Sequence, residues 1–136
     1  MIRQVDPQGV YNRWGWIRNG LLHCIHKGGG HYRPEDVYVM LRAGTAWLFV
    51  VEYDGEEHGF VIITNDVDPD GPVLFIFAMW AEPGSIRLRE RAFYSELEQL
   101  ARKAGAKRIR MQSARKGYER ESFFEKVSSI YEHELD

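Results

Sequence analysis

Residues 73–81 read VLFIFAMWA, a run in which the indole of Trp80 carries the only polar side-chain atom. A strand with one solvated face alternates apolar and polar residues, because successive side chains point to opposite faces. An uninterrupted apolar run instead indicates burial on both faces, so we predict a central strand of a sheet. Pro83 and Gly84 predict where the strand ends, which places Glu82 at its terminus.

The segments just before this run are also typical of strands. Residues 46–53 (AWLFVVEY) and 59–64 (GFVIIT) are rich in β-branched and aromatic residues, and Asp54 and Gly55 between them form a strong hairpin signal. Residues 65–71 carry three aspartates but lack the downstream glutamate of a calcium loop. We therefore predict two paired strands, a solvated turn, and then the central strand.

Further upstream, the sequence predicts a short strand over residues 2–5 and two helices. Asp6 followed by Pro7 is an N-cap signal. Apolar residues then recur at the spacing of one amphipathic helix, at Val10, Trp14, Ile17 and Leu21. Glycines at 28–30 end this helix, and we interpret them as a connection because no strand precedes them and no Lys-Ser or Lys-Thr pair follows. A second helix is predicted over residues 33–41.

The segments after the central strand predict one long helix and a return to the sheet. Residues 86–104 place Phe93, Leu97 and Ala101 on one helix face, and Gly105 suits the position after a helix end. Residues 107–111 alternate basic and apolar side chains, as a half-solvated strand does. A short helix through Ser122 and a closing strand follow. We predict one domain, residues 1–136, of α/β (α+β) class, with a mixed, mostly antiparallel sheet and about four helices.

Composition excludes several classes of protein. Lysine and arginine number 18 against 20 aspartates and glutamates, a net charge of −2 that lacks the basic excess typical of nucleic-acid binding. A single cysteine, Cys24, excludes an internal disulfide. The N-terminus lacks a signal-peptide pattern, and the apolar runs are too short to span a membrane. We expect a cytoplasmic protein that binds neither nucleic acid nor a membrane.

Two clusters of polar residues in the sequence are candidate binding sites. His23 and His26 share a helix face, but no carboxylate lies one turn away to complete a set of ligands, so no metal site is expected. Basic residues between 103 and 120 allow two interpretations. They form either a surface for an acidic partner or nucleic acid, or a solvated face that balances the acidic residues at 132, 134 and 136.

A residue-level resemblance extends over roughly half of the chain. Ala114 and residues 118–123 (YERESF) are similar to the alanine and the tyrosine-x-lysine-x-glycine-phenylalanine signature of the GCN5-related N-acetyltransferases (GNAT). Residues 101–109 resemble the end of that family's long helix and its next strand, and residues 80–83 resemble its valine-x-proline-glutamate strand end. The resemblance implies a GNAT fold, in which a bulge splays the central strand from a parallel neighbour and acetyl-CoA binds in the gap.

The same resemblance implies two catalytic residues. Tyr118 matches the tyrosine that acts as general acid and protonates the leaving thiolate in many family members. Glu82, at the end of the central strand, is the best-placed candidate for the base that takes a proton from the amine. Glu52 and His58, which flank the preceding hairpin, are weaker candidates for that base.

The cofactor-binding residues implied by the resemblance lie along the central strand and just after it. The backbone near Met79, Trp80 and Ala81 is expected to bind pantetheine, with Gly84, Arg87 and Arg89 near the pyrophosphate at the start of the long helix. The family has spaced glycines in that loop, so that backbone amides can approach the phosphates. Here Ile86, Leu88 and Glu90 occupy those positions, which implies a degenerate acetyl-CoA loop.

Two functions follow as expectations. One is an acetyl-CoA-dependent N-acetyltransferase acting on an amine of a small molecule or a protein. The alternative is a catalytically inactive relative that uses the fold to bind a protein partner. The chain resembles compact GNAT-like proteins of tailed phages and prophages, some of them linked to virion assembly, so the alternative partner is a virion component and the alternative localisation is the virion.

Overall fold

The computed structural model describes residues 1–28, 32–85 and 91–111, together with His133. Within these residues the strands form one sheet in the order β1-β2-β3-β4-β5, antiparallel except for the parallel pair β4–β5. The strands are β1 (Ile2–Val5), β2 (Trp47–Tyr53), β3 (Glu56–Asp68), β4 (Gly71–Ala81) and β5 (Arg108–Met111). The helices are α1 (Pro7–Asn12), α2 (Trp14–Gly28), α3 (Pro34–Ala43) and α4 (Arg91–Lys103). The predicted fold class, a mixed and mostly antiparallel sheet with four helices, is confirmed.

Helix α1 begins as predicted, with the carboxylate of Asp6 accepting a hydrogen bond from the backbone N–H of Gly9 at 2.7 Å. The prediction of one helix from here to the glycines was wrong, because the chain breaks at Arg13 before α2 starts. Arg13 has φ −106° and ψ 8°, and its guanidinium donates two hydrogen bonds of 2.7 Å to Glu57 on β3. The break therefore lies where the helical segment is tied to the β2–β3 hairpin.

The two hairpins differ in how well local sequence predicted them. Asp54 and Gly55 have φ values of 53° and 78°, the positive pair that a tight type I′ turn requires, so the first turn is confirmed. The solvated turn predicted over residues 65–71 was wrong. Strand β3 continues through Asp68, and β4 starts at Gly71.

Arginines on β5 neutralise two aspartates of this second hairpin, Asp68 at the end of β3 and Asp70 in the turn. Arg110 binds Asp68 through two hydrogen bonds of 2.9 and 2.7 Å, and Arg108 binds Asp70 through two of 2.8 and 2.6 Å. Paired hydrogen bonds of this kind are the strongest form of Arg–carboxylate contact. The β3–β4 hairpin therefore neutralises the basic face of β5. The sequence did not predict this pairing.

Strand β4 carries a bulge at Phe77. Ile62 of β3 lies opposite Ala78, but Ile63 lies opposite Ile76, so one residue of β4 has no counterpart. A bulge reverses which alternate residues face each side of a sheet. Leu74 and Ile76 accordingly join the core beneath α4, whereas Phe77, Ala78 and Trp80 join the core beneath α1, α2 and α3. The resemblance had implied a bulged central strand, and β4 is one.

The sheet thus separates two cores. Ile17, Leu21 and Phe60 are fully buried on the side of α1–α3, and Phe93 and Leu97 on the side of α4. Gly105 has φ 74° after α4, as predicted for a residue following a helix end. No helix in the described part of the chain is long and apolar enough to cross a membrane. The short helix and closing strand predicted after residue 111 lie outside the described residues.

Candidate active site

Glu82 follows the last residue of β4, and its backbone is held on both sides. Its N–H donates to the carbonyl of His58 on β3 at 2.8 Å. Its carbonyl accepts hydrogen bonds from the backbone N–H of Ser85, at 3.1 Å, and from the Ser85 hydroxyl. Gly84, inside this turn, has φ 76°, a conformation that residues with a side chain rarely adopt. The strand end and its turn therefore fix where the Glu82 side chain starts.

Within residues 1–28, 32–85 and 91–111, the Glu82 carboxylate has one hydrogen-bond partner, the indole of Trp16. The Nε1–H group of Trp16 donates to Glu82 Oε1 at 2.8 Å, across 66 residues of sequence. No lysine or arginine among the described residues pairs with Glu82, although its side chain is half-buried. Two of the three glutamates of the neighbouring hairpin differ from it, because Glu52 pairs with Arg3 and Glu57 pairs with both Arg3 and Arg13.

The contact with Arg13 affects the ionisation of the Glu57 carboxylate. Two hydrogen bonds from Arg13, reinforced by Arg3, hold the pKa of Glu57 below its ordinary value, so that carboxylate is a poor proton acceptor. The same contact raises the pKa of Arg13. Glu82 differs from Glu52 and Glu57 in that no lysine or arginine of the described residues pairs with its carboxylate.

Trp80 lies two residues before Glu82 and packs among three other rings. Its ring centroid is 5.7 Å from that of Phe60, 5.9 Å from that of Trp16 and 6.0 Å from that of His23. The Trp16 contact is edge-to-face, and the His23 ring is stacked at an interplanar angle of 21°. Aromatic side chains of helix α2 thus cover the last residues of β4.

Two glycines permit this close packing. A Cβ on Gly20 of α2 would lie 2.5 Å from the Phe60 ring and 2.7 Å from the Trp80 ring. A Cβ on Gly59 of β3 would lie 2.5 Å from the Trp80 carbonyl oxygen. All three distances are far below van der Waals contact. The helix and the strand therefore approach Trp80 only because Gly20 and Gly59 lack a side chain.

The backbone of β4 offers an edge suited to a ligand with amide groups. Because Glu82 donates its N–H to β3, alternation along an antiparallel strand turns the N–H and C=O groups of Met79 and Ala81 to the opposite side. On that side, the described part of β5 pairs only with Val73–Ile76. The Met79 carbonyl accepts a hydrogen bond from the Cys24 thiol at 3.4 Å. The two N–H groups could therefore bind the amides of a pantetheine arm.

Tyr32 lies on the face of the sheet that carries the Trp80 ring, in the core beneath α1–α3. Its ring packs on Phe77, the bulge residue, with centroids 4.9 Å apart. Burial, with the Cys24 thiol as a second cause, raises the pKa of Tyr32 to about 12. The Tyr32 hydroxyl therefore stays protonated at neutral pH.

Five of the eight predicted site residues are neighbours in the sequence and lie at the end of β4 and in the turn after it. They are Met79, Trp80, Ala81, Glu82 and Gly84. The other three, Tyr118, Arg87 and Arg89, lie outside the described residues, as do the loop residues Ile86, Leu88 and Glu90. His58 meets Glu82 through its backbone, and its Nε2 atom lies 3.9 Å from a carboxylate oxygen of Glu56.

Sequence reasoning missed Trp16, Gly20 and Gly59 as parts of this site. Trp16 looked like one more apolar residue of a helix, and nothing local marks it as the partner of a carboxylate 66 residues away. Glycine in a helix or strand interior does signal close approach, so Gly20 and Gly59 could have been noticed. Among the described residues, no three His, Cys, Asp or Glu side chains are grouped as metal ligands would be.

No protein-family model and no curated protein sequence matches the chain. Solved structures do match it. The ribosomal-protein-alanine N-acetyltransferase of Brucella melitensis superimposes with a TM-score of 0.68 at 13% identity, covering 99% of each chain. An aminoglycoside acetyltransferase from an uncultured soil metagenomic sample gives 0.70 at 10% identity, over 100% of this chain and 96% of that one. A predicted acetyltransferase of Clostridium acetobutylicum, solved with acetyl-CoA, gives 0.68 at 14% identity, over 98% and 95%. The chain therefore has the GNAT fold.

Proposed function

We propose that the protein is an N-acetyltransferase that moves the acetyl group of acetyl-CoA to an amine. One observation carries the proposal. Glu82 lies at the end of the bulged strand β4, and among the described residues its carboxylate binds an indole and no cation. A general base must be free to accept a proton, and the paired glutamates of the neighbouring hairpin are not. The similar structures, which are acetyltransferases, support the same reaction class.

In this proposal the residues of β4 bind the donor. The N–H groups of Met79 and Ala81 hydrogen-bond the pantetheine arm, and the Trp80 side chain forms the wall beside it. We assign Gly84, Arg87 and Arg89 to the pyrophosphate, to which the two arginines supply positive charge in a loop whose sequence lacks the usual glycines. Because bulky residues stand at those positions, we expect weaker acetyl-CoA binding than in a glycine-rich loop.

Glu82 and Tyr118 divide the proton transfers. Glu82 takes a proton from the acceptor nitrogen as that nitrogen forms a bond to the thioester carbon. The carbon–sulfur bond then breaks, and Tyr118 gives a proton to the departing thiolate. The products are an acetylated amine and free CoA, and the two residues exchange protons with solvent to return to their starting forms.

The acceptor is an amine on a small molecule or on a protein. The names of the similar structures include both kinds, an aminoglycoside and a ribosomal-protein alanine. Trp16, which contacts Glu82, and the Trp80 ring packed against it favour an acceptor with an apolar or flat part next to its amine, because such groups pack well on aromatic rings.

The test is thermal unfolding with and without acetyl-CoA. A ligand at 100 times its Kd stabilises a folded protein by about 2.7 kcal/mol, so the melting temperature must rise with acetyl-CoA concentration. CoA itself serves as a second ligand and free acetate as the negative control. An unchanged melting temperature at millimolar acetyl-CoA contradicts the proposal.

One observation favours the alternative function, a catalytically inactive protein that binds a protein partner. Tyr11 on α1 and Val39 on α3 are 60% and 66% exposed and border a cleft of about 760 Å³ between the helices. Exposed apolar surface of this kind often marks a binding site for another protein. In this version the partner is a virion component, as the phage resemblance implies. In this case Val39→Asp abolishes the association with the protein partner. The melting temperature of the variant measured with acetyl-CoA stays equal to that of the wild type.

A further inference from the structure

Trp16 makes a contact that the proposed reaction does not yet use. Its Nε1–H group donates to Glu82 Oε1 at 2.8 Å, and this is the one side-chain contact of that carboxylate among the described residues. An indole can donate but cannot accept, so it binds the oxygen without competing for a proton. The hydrogen bond occupies Oε1 and leaves Oε2 for another group.

The donor is held rigidly. The Trp16 ring meets Phe60 at a centroid distance of 5.6 Å and an angle of 73°, and meets Trp80 at 5.9 Å and 72°. Phe60 is fully buried, so this side of the Trp16 ring rests against the core of the protein. The close approach of α2 at Gly20 keeps the helix that carries Trp16 against the sheet.

The acceptor is held only through its backbone. The Glu82 N–H and C=O groups are bound by His58 and Ser85, but three side-chain torsions separate that backbone from the carboxylate. A glutamate side chain has considerable rotamer freedom, which it loses only when a partner immobilises it. Without Trp16, nothing in the described residues would hold the carboxylate in one orientation.

We propose that Trp16 is a positioning residue that orients Glu82 so that Oε2 faces the acceptor amine. The proposal rests on the proposed function, because it assigns Glu82 as the base. Its consequence is that catalysis depends on a hydrogen-bond donor on helix α2, an element to which the proposed reaction assigns no other role. Misorientation of a catalytic group by about an ångström lowers turnover strongly.

The first test is kinetic and uses Trp16→Phe, which keeps an aromatic ring and removes the N–H group. The probes are acetyl-CoA with an aminoglycoside and with a peptide that starts with alanine, and free CoA thiol is measured. We expect kcat to fall about tenfold, as for loss of one hydrogen bond to a charged group, with KM for acetyl-CoA unchanged. Trp47→Phe, which removes an indole from the opposite core, is the control and keeps wild-type kcat.

A double-mutant cycle separates positioning from mere packing. In the Glu82→Gln background, Trp16→Phe lowers the residual rate by less than twofold, because the group it orients is already gone. A full tenfold loss in that background, or a Trp16→Phe enzyme within twofold of wild type, overturns the proposal. Unfolding midpoints of all variants show whether a loss of rate comes from loss of folded protein.

A third measurement needs no turnover. The indole N–H resonance of Trp16, assigned by its absence in Trp16→Phe, must move upfield in Glu82→Gln because the acceptor loses its charge. An unmoved resonance overturns the proposal whatever the kinetics. If the wild type neither turns over the probes nor gains stability from acetyl-CoA, the proposed function fails and Trp16 has no base to position. If the wild type is active and Trp16→Phe equals it, only the Trp16 proposal fails.

Discussion

The indole nitrogen of Trp16 lies 2.8 Å from a carboxylate oxygen of Glu82, which links the first turn of α2 to the end of the bulged strand β4. No cation of the described part of the chain pairs with this carboxylate, whereas Glu52, 30 residues earlier on β2, binds Arg3 at 3.0 Å. Two glutamates near one end of the sheet thus differ in the group that their carboxylate contacts, an indole for Glu82 and a guanidinium for Glu52. This difference makes the assignment of the base testable.

Glu82→Gln is expected to lower kcat by about 10²- to 10⁴-fold, the usual contribution of a general base. The amide keeps the size of the side chain and can still accept the Trp16 hydrogen bond, so folding should be unaffected. Glu52→Gln is the matched control, since it changes an ion-paired glutamate of the same sheet and should keep activity within about twofold. Steady-state rates of CoA release measure both, and equal rates for the two variants would show that Glu82 is not the base.

Gly20→Ala tests the packing of α2 on Trp80. The added Cβ would lie 2.5 Å from the Phe60 ring and 2.7 Å from the Trp80 ring, so the helix or the rings must move. Overpacking of this kind costs about 1–3 kcal/mol of unfolding free energy. Gly15→Ala, five residues earlier on the same helix, is the control, because a Cβ there meets nothing within 4 Å.

Urea unfolding of the two alanine variants gives the comparison. Gly15→Ala should leave the unfolding free energy unchanged or raise it by up to about 1 kcal/mol, since alanine favours a helix over glycine. A Gly20→Ala protein as stable as Gly15→Ala would mean that α2 lies farther from the sheet than described. Tryptophan fluorescence of the folded Gly20→Ala protein should also differ, because the added methyl group reaches the Trp80 ring.

Local signals accounted for most of the fold. The apolar run of β4, the Asp54–Gly55 turn and the N-cap at Asp6 each carry their information within a few neighbouring residues, and each was predicted correctly. The GNAT resemblance supplied the expectation of a bulge, which alternation in the sequence does not reveal because both faces of β4 are apolar. Glu82 could be named as a candidate for the base from a local signal too, because it directly follows a recognisable strand.

Long-range pairs account for what was missed. Residues 65–68 looked like a turn because aspartates disfavour strands, yet Arg110, 42 residues after Asp68, neutralises that carboxylate and lets β3 continue. The break at Arg13 depends in the same way on Glu57, 44 residues later. Neither partner is recognisable from its neighbours, so no local pattern could predict either feature.

Arg13→Gln is expected to destabilise the protein by about 1–2 kcal/mol, because it removes two charge-assisted hydrogen bonds to the half-buried Glu57. Arg3 remains beside Glu57 and limits the loss. Arg18→Gln is the matched control on the same pair of helices, since Arg18 and Glu35 form an exposed pair that solvent screens. Chemical unfolding should show little change for Arg18→Gln. Equal effects of the two substitutions would mean that the Arg13 contact does not anchor the break between α1 and α2.

The Arg108–Asp70 contact predicts how stability changes in acid. Two hydrogen bonds from Arg108 lower the pKa of Asp70 to about 2, from an ordinary value of 3.8. Because the folded-state pKa is depressed, the stabilisation is fully present above about pH 4 and is lost as the pH falls towards 2. Asp70→Asn should therefore melt below the wild type at pH 7, and the two melting temperatures should converge as the pH is lowered through this window. High salt should reduce the gap at pH 7, since the pair is exposed to solvent. A gap that stays constant from pH 7 to pH 2 would mean that the aspartate acts through the shape of the β3–β4 turn and not through its charge.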